Sequence, residues 1–311
     1  MNSQLRLSHD LCQQIALQAG SSFYYTFCLL PKPQYRAMCA LYAFMRRTDD
    51  LSDDPPTPSG SAEQTLRDQQ LALEKWHSEF DLAIRQQKAN HGIWPALLET
   101  VEQFQIEPEW LEATIQAASQ DLTPRQFPTW ESLSDYCYQV AGVVGLCCIR
   151  IWGSRDPASD QLAIVNGEAF QLTNIIRDVL IDAQMGRNYV PLSEWETHQL
   201  NWDQLLTGEV PLSDYEPMIN ALIARNRMLY KQSANLASLL SSPGRMVFEA
   251  MRNTYQCQLE LIDRQSPRLS FTPPRVSRRQ KIWYLFKAYL QQHGNPQRWK
   301  IFRPQPASDF S

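Results

Sequence analysis

The spacing of apolar residues constrains the fold of this chain more than any other feature of the sequence. Apolar residues recur every three or four positions along almost the whole chain, whereas the alternation typical of strands is scarce. Only 11 glycines occur in 311 residues, so few positions favour tight turns. The pattern predicts an all-α protein. We expect helices near residues 8–20, 33–53, 62–88, 94–105, 108–120, 130–151, 158–184, 214–240, 244–264 and 276–291.

The breaks in this pattern are short. Proline-rich segments at 55–61 and 123–130 separate predicted helices, and residues 185–212 are expected to form an irregular connection with one short helix at most. None of these segments has the length or composition of a domain linker. We therefore predict a single domain over residues 1–311, with a basic amphipathic C-terminal segment at 264–311.

Composition excludes several classes of protein. The formal net charge of -4 argues against a general nucleic-acid binder. The seven cysteines form no CxxC pair, which favours reduced thiols over disulfides or a zinc site, and the five histidines lack ligand spacing and are expected on the surface. The N-terminus lacks the pattern of a signal peptide, and no window reaches the roughly 18 uninterrupted apolar residues of a membrane span. We expect a cytoplasmic protein.

Two clusters of acidic and amide side chains stand out. The first, Asp49-Asp50-Leu51-Ser52-Asp53-Asp54, follows the apolar stretch MCALYAFM. Side chains four apart share a helical face, so Asp49 and Asp53 point the same way, and crowded carboxylates at a helix C-terminus repel one another. Divalent cations would compensate this charge. Taken alone, a solvated acidic helix end explains the pattern as well.

The second cluster makes the solvated interpretation less favourable. Gln171, Asn174, Asp178 and Asp182 are spaced by three, four and four residues and form one polar stripe on a helix rich in Phe, Leu, Ile and Val. A solvated face would carry Lys, Glu and Arg, whereas oxygen-bearing side chains among apolar ones are typical of a partly buried cavity. Arg177 and the segment 186–189 supply cations and donors suited to phosphate.

Acidic pairs on two helices of a bundle can bind Mg²⁺ ions and receive a diphosphate in an apolar cavity. Metal ions then neutralise the leaving group, and the dry cavity protects an allylic cation from water. This arrangement favours isoprenoid chemistry that begins with ionisation. The sequence contains no P-loop, no GxGxxG after a strand, no HExxH and no GxSxG.

Four ordered blocks carry a family resemblance: SSFYYTFCLLP at 21–31, AMCALYAFMRRTDDLSDD at 37–54, YCYQVAGVVGL at 136–146 and AFQLTNIIRDVLIDAQMGRNYVP at 169–191. Together they resemble the squalene/phytoene synthase family, with the SSFY form closer to bacterial enzymes making presqualene diphosphate or squalene-type products. Position 21 is a serine where many members have lysine. The resemblance implies a single all-α isoprenoid-synthase bundle with a central active-site cavity.

The resemblance also implies roles for individual residues. Metal binding would fall to Asp49, Asp53, Asp178 and Asp182. Phosphate handling and catalysis would fall to Arg46, Arg177, Arg187 and Tyr136. Substrate contacts would come from Ser22, Phe23, Tyr25, Val140, Ala141, Gly145, Gln171, Asn174 and Tyr189. The small residues at 140–145 are explained equally well by close helix packing.

By this resemblance, the chain is expected to be a Mg²⁺-dependent prenyltransferase that condenses two prenyl diphosphates head to head through a cyclopropylcarbinyl diphosphate. Farnesyl diphosphate and a C30 product are favoured; the alternative is geranylgeranyl diphosphate and C40 phytoene. Termination by proton loss, hydride or water stays open, and NADPH is not expected because no nucleotide fingerprint is present. A terpene cyclase and a non-catalytic helical scaffold are the rival hypotheses, and the YxxxVAGxVG and QLTNIIRD blocks argue against the cyclase.

The C-terminal segment is basic, with a single aspartate after residue 263. Within it, Ile282, Leu285, Phe286 and Tyr289 are predicted to share one helical face, with Trp283 beside them. The segment is interpreted either as a helix that caps the bundle or as a peripheral contact with an anionic membrane surface. The sequence indicates no oligomeric state.

Overall fold

A computed structural model describes residues 3–19, 22–53, 61–85, 91–154, 156–265 and 268–293. Within these ranges the chain forms helices and turns and no strand, which confirms the all-α prediction. The helices are α1 (Ser3–Gln18), α2 (Ser22–Phe27), α3 (Lys32–Asp53), α4 (Ala62–Ile84), α5 (Trp94–Phe104), α6 (Pro108–Gln120), α7 (Trp130–Cys137), α8 (Val143–Trp152), α9 (Ala158–Gln184), α10 (Leu192–Thr197), α11 (Glu216–Gln232), α12 (Leu236–Leu239), α13 (Ser242–Asp263) and α14 (Arg278–His293).

Three helical segments differ from the prediction. The six-residue helix α2 was not predicted, because it is too short for a periodic signal. The predicted helix at 130–151 is α7 and α8 joined by one π turn, Tyr138–Gly142. The predicted helix at 214–240 begins with a short 3-10 turn at Leu212–Tyr215 and is interrupted between α11 and α12. At this interruption the Ser233 hydroxyl and the Ser233 backbone amide both donate to the Leu229 carbonyl at 3.0 Å.

Two clusters of buried apolar side chains make up most of the core. One joins α1 to α6 with α8, and the other joins α7, α9, α10 and α11. Helices α9 and α13 contribute to both: Ala163 and Phe248 belong to the first cluster, whereas Leu180 and Leu259 belong to the second. These two helices therefore connect the halves of the bundle.

The last turns of α3 are held against α4 by buried hydrogen bonds. The Trp76 indole donates to the Thr48 hydroxyl at 3.0 Å, and Thr48 donates to the Phe44 carbonyl at 3.0 Å. One turn later, the Gln69 amide of α4 donates to the Ser52 carbonyl at 2.9 Å. These bonds satisfy carbonyls near the helix end and fix the turn that carries the first acidic cluster.

Polar contacts also anchor both halves of α9. Arg150 of α8 binds both carboxylate oxygens of Asp160 at 2.7 Å each. Further along, the Asn226 amide of α11 donates to the buried Thr173 hydroxyl at 2.9 Å. Beyond the helix, Gly186 adopts a φ of 71°, a conformation open to glycine, and the Arg187 amide donates to the Asp182 carbonyl at 2.9 Å. The chain therefore reverses immediately after the polar stripe.

Among the described residues, the continuous helix Trp130–Trp152 is long and apolar enough to cross a membrane by length and composition alone. Half of its most apolar window is buried, and it packs against α6 and α9. These contacts are those of a core helix in the bundle.

The cysteines and one histidine bear on the sequence-based expectations. All seven cysteines are free thiols, and five of them are buried. His9 is buried and lies 2.7 Å from Glu99, so its predicted surface position is wrong. Its environment is that of a hydrogen-bonded core histidine.

Candidate active site

A central cavity of about 470 Å³ lies between the helices that connect the two core clusters. Its walls come from α2, α3, α6, α7, α8, α9, α12 and α13 and from the turn after α9. Most of its lining is apolar, as expected for a site that receives hydrocarbon.

The charged and amide side chains of this cavity come from α3, α9 and the segments that follow α6 and α9. On α3 the lining changes from Met38 and Leu41 to Asp49. On α9 it changes from Ala163 to Asn174, with Gln171 between them. Two further charged groups complete this polar region: Asp121, which follows the last residue of α6, and Arg187, which follows the reversal after α9.

Aromatic side chains make up much of the remaining lining. Tyr136, which contacts Asp121 in the polar region, and Trp152 both line the cavity and are separated by sixteen residues of helix, about 24 Å along the helix path at about 1.5 Å per residue. On α13 the lining runs from Tyr255, whose hydroxyl bonds Asn174, back to Phe248. The rings of Trp152 and Phe248 lie 6.2 Å apart and are both buried. The cavity is thus elongated. It has a charged region and an aromatic floor formed by Trp152 and Phe248.

Asp178 and Asp182 continue the α9 stripe beyond the residues that line the cavity. Asp178 accepts two hydrogen bonds from its neighbour Arg177, with the Nε contact at 2.8 Å. Asp182 lines a small adjoining space together with Arg187 and Tyr189. Burial raises the pKa of Asp182 to about 7, and the like charge of Asp178 adds to this effect.

No three His, Cys, Asp or Glu side chains form a metal-binding group among those that the structure describes. The side chain of Asp53 falls outside that set. The potential metal ligands are nevertheless side-chain oxygen atoms, which Mg²⁺ prefers. They belong to Asp49, Gln171, Asn174, Asp178 and Asp182. Asp182 is partly buried beside a second carboxylate, an arrangement that a cation would stabilise.

Besides Asp178 and Asp182, four described residues of the predicted site do not line the cavity: Tyr25, Arg46, Arg177 and Tyr189. Arg46 is half exposed and forms an ion pair of 2.7 Å with Asp50, one turn later on α3. Tyr25 is 54% exposed, whereas Phe27 lines the cavity. Residues two apart on a helix are rotated by about 200° around the helix axis and lie on nearly opposite faces. Only one of the two can therefore face the cavity. The side chains of Ser22 and Phe23, also predicted to contact substrate, lie outside the described residues.

The predicted small residues line the wall at the π turn. Val140 and Ala141 belong to that turn, and Gly145 follows on α8. A Cβ atom at Gly145 would lie 2.8 Å from the Ala163 carbonyl oxygen of α9. Close helix packing and a thin cavity wall therefore coexist here, and π turns often occur at functional sites.

Tyr136 lies in a tightly packed polar and aromatic environment. Its hydroxyl donates to Asp121 Oδ2 at 2.7 Å, and its ring stacks on Tyr189 with centroids 5.5 Å apart. The Arg125 guanidinium lies over the ring at 5.2 Å. Burial raises the pKa of Tyr136 far above its usual range, and the charge of Asp121 raises it further. Tyr136 is therefore a neutral hydrogen-bond donor at physiological pH.

Several residues of the site were not predicted from the sequence, among them Asp121 and Tyr255. Asp121 is a lone acid after α6, fifteen residues before Tyr136, and no local pattern identifies it. Tyr255 stacks on Phe170 with ring centroids 4.1 Å apart, which joins α13 to α9. Its only sequence signal is an aromatic residue on an amphipathic helix, which also describes ordinary core residues.

Known proteins share this architecture. The solved structure of a dehydrosqualene synthase superposes with a TM-score of 0.80 and 27% identity, covering 92% of this chain and 98% of that one. A squalene synthase from Alicyclobacillus acidocaldarius shares the fold, with a TM-score of 0.76, 24% identity and coverage of 86% and 97%.

Sequence comparisons point the same way. The chain is 32% identical over 239 residues to a phytoene synthase of Arthrospira platensis, covering 72% of this chain and 73% of the relative. It is 28% identical over 297 residues to a 15-cis-phytoene synthase of Synechocystis sp., covering 91% and 85%. The family model described as squalene/phytoene synthase matches residues 17–280. The chain belongs to the squalene/phytoene synthase family, whose members are prenyltransferases that join prenyl diphosphates head to head.

Proposed function

We propose that this enzyme condenses two molecules of farnesyl diphosphate into a C30 product through a cyclopropylcarbinyl diphosphate, with Mg²⁺ as its metal. The observation that carries the proposal is the cavity itself, in which Asp49, Asn174 and Arg187 share one elongated space with an aromatic floor. A diphosphate needs the charged region, and a prenyl chain needs the apolar one.

Asp49 and Asp53 of α3 and Asp178 and Asp182 of α9 are the residues that would hold Mg²⁺, which neutralises a departing diphosphate when bound. Arg187 lines the same cavity and donates to phosphate oxygens. Arg177 orients Asp178 through two hydrogen bonds. Arg46 is paired with Asp50 on α3 and would bind phosphate only after that ion pair opens.

The remaining walls exclude water from the allylic cation. Val140, Ala141 and Gly145 allow the prenyl chain to lie close to the α8 backbone, and Phe170 and Tyr255 cover it from α9 and α13. The C2=C3 double bond of the acceptor attacks C1 of the cationic donor, and loss of a proton from donor C1 closes the three-membered ring. The Tyr136 hydroxyl, which also lines the cavity, is the polar group proposed to face this reaction.

Chain length distinguishes two candidate substrates. Trp152 and Phe248 place two large rings in the cavity lining, an argument for the shorter farnesyl chain, and a solved relative with a TM-score of 0.80 is a dehydrosqualene synthase. The curated relatives are named as phytoene synthases, which favours phytoene as the product. We therefore keep phytoene synthesis as the second candidate function.

The test is incubation of the purified protein with Mg²⁺ and either farnesyl or geranylgeranyl diphosphate, with and without NADPH, followed by mass identification of the products. A C30 hydrocarbon or its cyclopropylcarbinyl precursor from farnesyl diphosphate is the expected result. Exclusive use of geranylgeranyl diphosphate would select the second candidate. An absence of diphosphate release from both substrates would contradict both. The NADPH arm identifies a hydride-terminated product, which our proposal does not require.

We further propose that α14 touches an anionic membrane surface at the cytoplasmic side, where a water-insoluble product leaves the enzyme. Ala288 is buried and Leu285 partly buried against α13, whereas Ile282, Phe286 and Tyr289 are exposed. The exposed Arg275 and Arg279 accompany this apolar face. Apolar side chains flanked by cations are the features that anionic lipid surfaces attract.

A further inference from the structure

The hydrogen bond between Tyr136 and Asp121 connects the cavity to a second carboxylate. Both residues line the cavity, and the Tyr136 hydroxyl directs its proton to Asp121 Oδ2 at 2.7 Å. Among the described lining residues the carboxylates are Asp49 and Asp121. Since Asp49 belongs to the proposed metal site, Asp121 is the lining carboxylate that metal binding does not use.

Tyr136 has little freedom to turn away from this partner. Its ring is buried between Phe127 and Tyr189, with centroids 5.2 Å and 5.5 Å away, and Arg125 covers it at 5.2 Å. The hydroxyl proton points to Asp121 and the same oxygen also hydrogen-bonds the Tyr189 hydroxyl, which leaves one acceptor lone pair for another proton. A proton that arrives on this oxygen can be matched by the departure of the first one to Asp121.

Asp121 is suited to receive that proton. It follows the last residue of α6, where the helix dipole disfavours a negative charge. Burial raises the pKa of Asp121 above its ordinary value, although the hydrogen bond from Tyr136 and the charges of Arg125 and Arg187 act in the opposite direction. Its side chain keeps 18% exposure, so an acquired proton has a route to water.

We propose that Asp121 accepts, through Tyr136, the proton that leaves donor C1 when the three-membered ring closes. The C1–H bond breaks and its electron pair forms the bond between donor C1 and acceptor C3. The proton joins the Tyr136 oxygen while the original Tyr136 proton moves to Asp121, so the tyrosine stays neutral and the carboxylate becomes an acid. Asp121 is thus a positioning and relay residue. This inference rests on the proposed head-to-head condensation.

The test is Asp121→Asn, assayed for formation of the cyclopropylcarbinyl diphosphate with unlabelled substrate and with substrate deuterated at C1. The asparagine oxygen still accepts the Tyr136 hydrogen bond but cannot take up the proton. We expect kcat to fall about 10²-fold or more with KM nearly unchanged, as for loss of a general base. The deuterium isotope effect on kcat should increase, because proton loss becomes slower than ionisation.

The matched control is Asp135→Asn, the same change at an exposed acid next to Tyr136 in sequence; it should behave as the wild type. If Asp121→Asn folds poorly, Tyr136→Phe keeps the ring stack, removes the relay oxygen and should show the same fall in kcat and rise in isotope effect. Where the double variant folds, it should be no slower than the slower single variant, since both changes interrupt one relay.

Three results would overturn the relay. They are a wild-type kcat in Asp121→Asn, a rise in KM alone, and a fall in kcat with an unchanged isotope effect, which would leave Asp121 a purely structural role. Failure of the wild-type enzyme to form any cyclopropylcarbinyl product is a different outcome, because it contradicts the proposed function before any variant is compared.

Discussion

Gly167 of α9 lies directly against the carbonyl of Ala141 in the π turn. A Cβ atom at position 167 would approach that oxygen to 2.6 Å and the Ala141 carbon to 2.7 Å. Both obstacles are backbone atoms, so neither can move aside as a side chain would. The contact fixes how closely the cavity wall made by the π turn approaches the polar stripe.

Gly167→Ala should therefore destabilise the protein by about 1–3 kcal/mol, the usual cost of overpacking, and lower activity by moving the π turn. Denaturant unfolding and steady-state kinetics measure the two effects. Gly92→Ala is the matched control, because its Cβ would meet the end of the flexible Leu11 side chain at 2.8 Å. Equal stability of the two variants would contradict the packing argument.

Asp49→Asn and Asp178→Asn should each abolish turnover, with a loss of at least about 10²-fold in kcat, while the unfolding midpoint stays near that of the wild type. Each change removes a proposed metal ligand from a region where like charges already repel. Asp50→Asn changes the next residue, which is paired with Arg46 and lies outside the cavity lining, and should retain most activity. Product formation from radiolabelled prenyl diphosphate measures all three. Undiminished turnover by Asp49→Asn would contradict the assignment of Asp49 as a metal ligand.

The aromatic floor predicts substrate preference. Phe248→Leu deepens the end of the cavity and should shift the ratio of kcat/KM values towards geranylgeranyl diphosphate by about tenfold or more, since small changes in an apolar pocket discriminate by about 10–200-fold. Phe44→Leu makes the same change at a buried residue that does not line the cavity, so it should cost stability and leave the ratio unchanged. Competition assays with both substrates measure the ratio. A parallel shift in both variants would refute the role of the floor.

The sequence predicted the fold and part of the site for identifiable reasons. The residues Gln171, Asn174, Asp178 and Asp182 could be assigned to one stripe because helical spacing alone determines which side chains share a face. The structure adds that the stripe divides, with its first two members on the cavity wall and the last two beyond it. That division depends on how α9 crosses its neighbours, which spacing does not encode.

Other site features depend on tertiary contacts. Asp121 and Tyr136 meet because the segment between α6 and α7 folds back, and no periodic pattern describes that segment. Tyr25 was placed at the substrate by resemblance, but the orientation of the short helix α2 exposes it and turns Phe27 inward. The pair between Arg46 and Asp50, in contrast, follows the i,i+4 rule and could be expected from sequence.

The ion pair between Arg150 and Asp160 predicts a pH-dependent stability. Hydrogen bonds from Arg150 hold the pKa of Asp160 below its ordinary value of 3.8, so the stabilisation is complete above that value and is lost as pH falls through the lower folded-state pKa. Because the pair is partly exposed, Asp160→Asn should cost only about 0.2–1 kcal/mol at pH 7. Denaturant unfolding should show this difference shrinking towards pH 3. A difference that persists at low pH would mean that the pair is not its source.

Helix α14 predicts binding to lipid. Ile282→Ser combined with Phe286→Ser removes two exposed apolar side chains from the proposed contact, and each buried side chain of this size contributes about 1.5–3 kcal/mol. We expect wild-type protein to co-sediment with vesicles containing phosphatidylserine, less so with phosphatidylcholine alone, and the double variant to bind at least about tenfold more weakly.

Leu7→Ser combined with Leu71→Ser is the matched control, because these leucines are 67% and 62% exposed on α1 and α4, comparable with 61% for Ile282. The control should bind vesicles as the wild type does. Raising the salt concentration should weaken binding by screening Arg275 and Arg279. Size-exclusion chromatography of the same proteins detects the competing arrangement, in which α14 pairs with a second copy of the chain. A wild-type dimer that dissociates in the double variant, without vesicle binding, would replace the lipid surface with a protein interface.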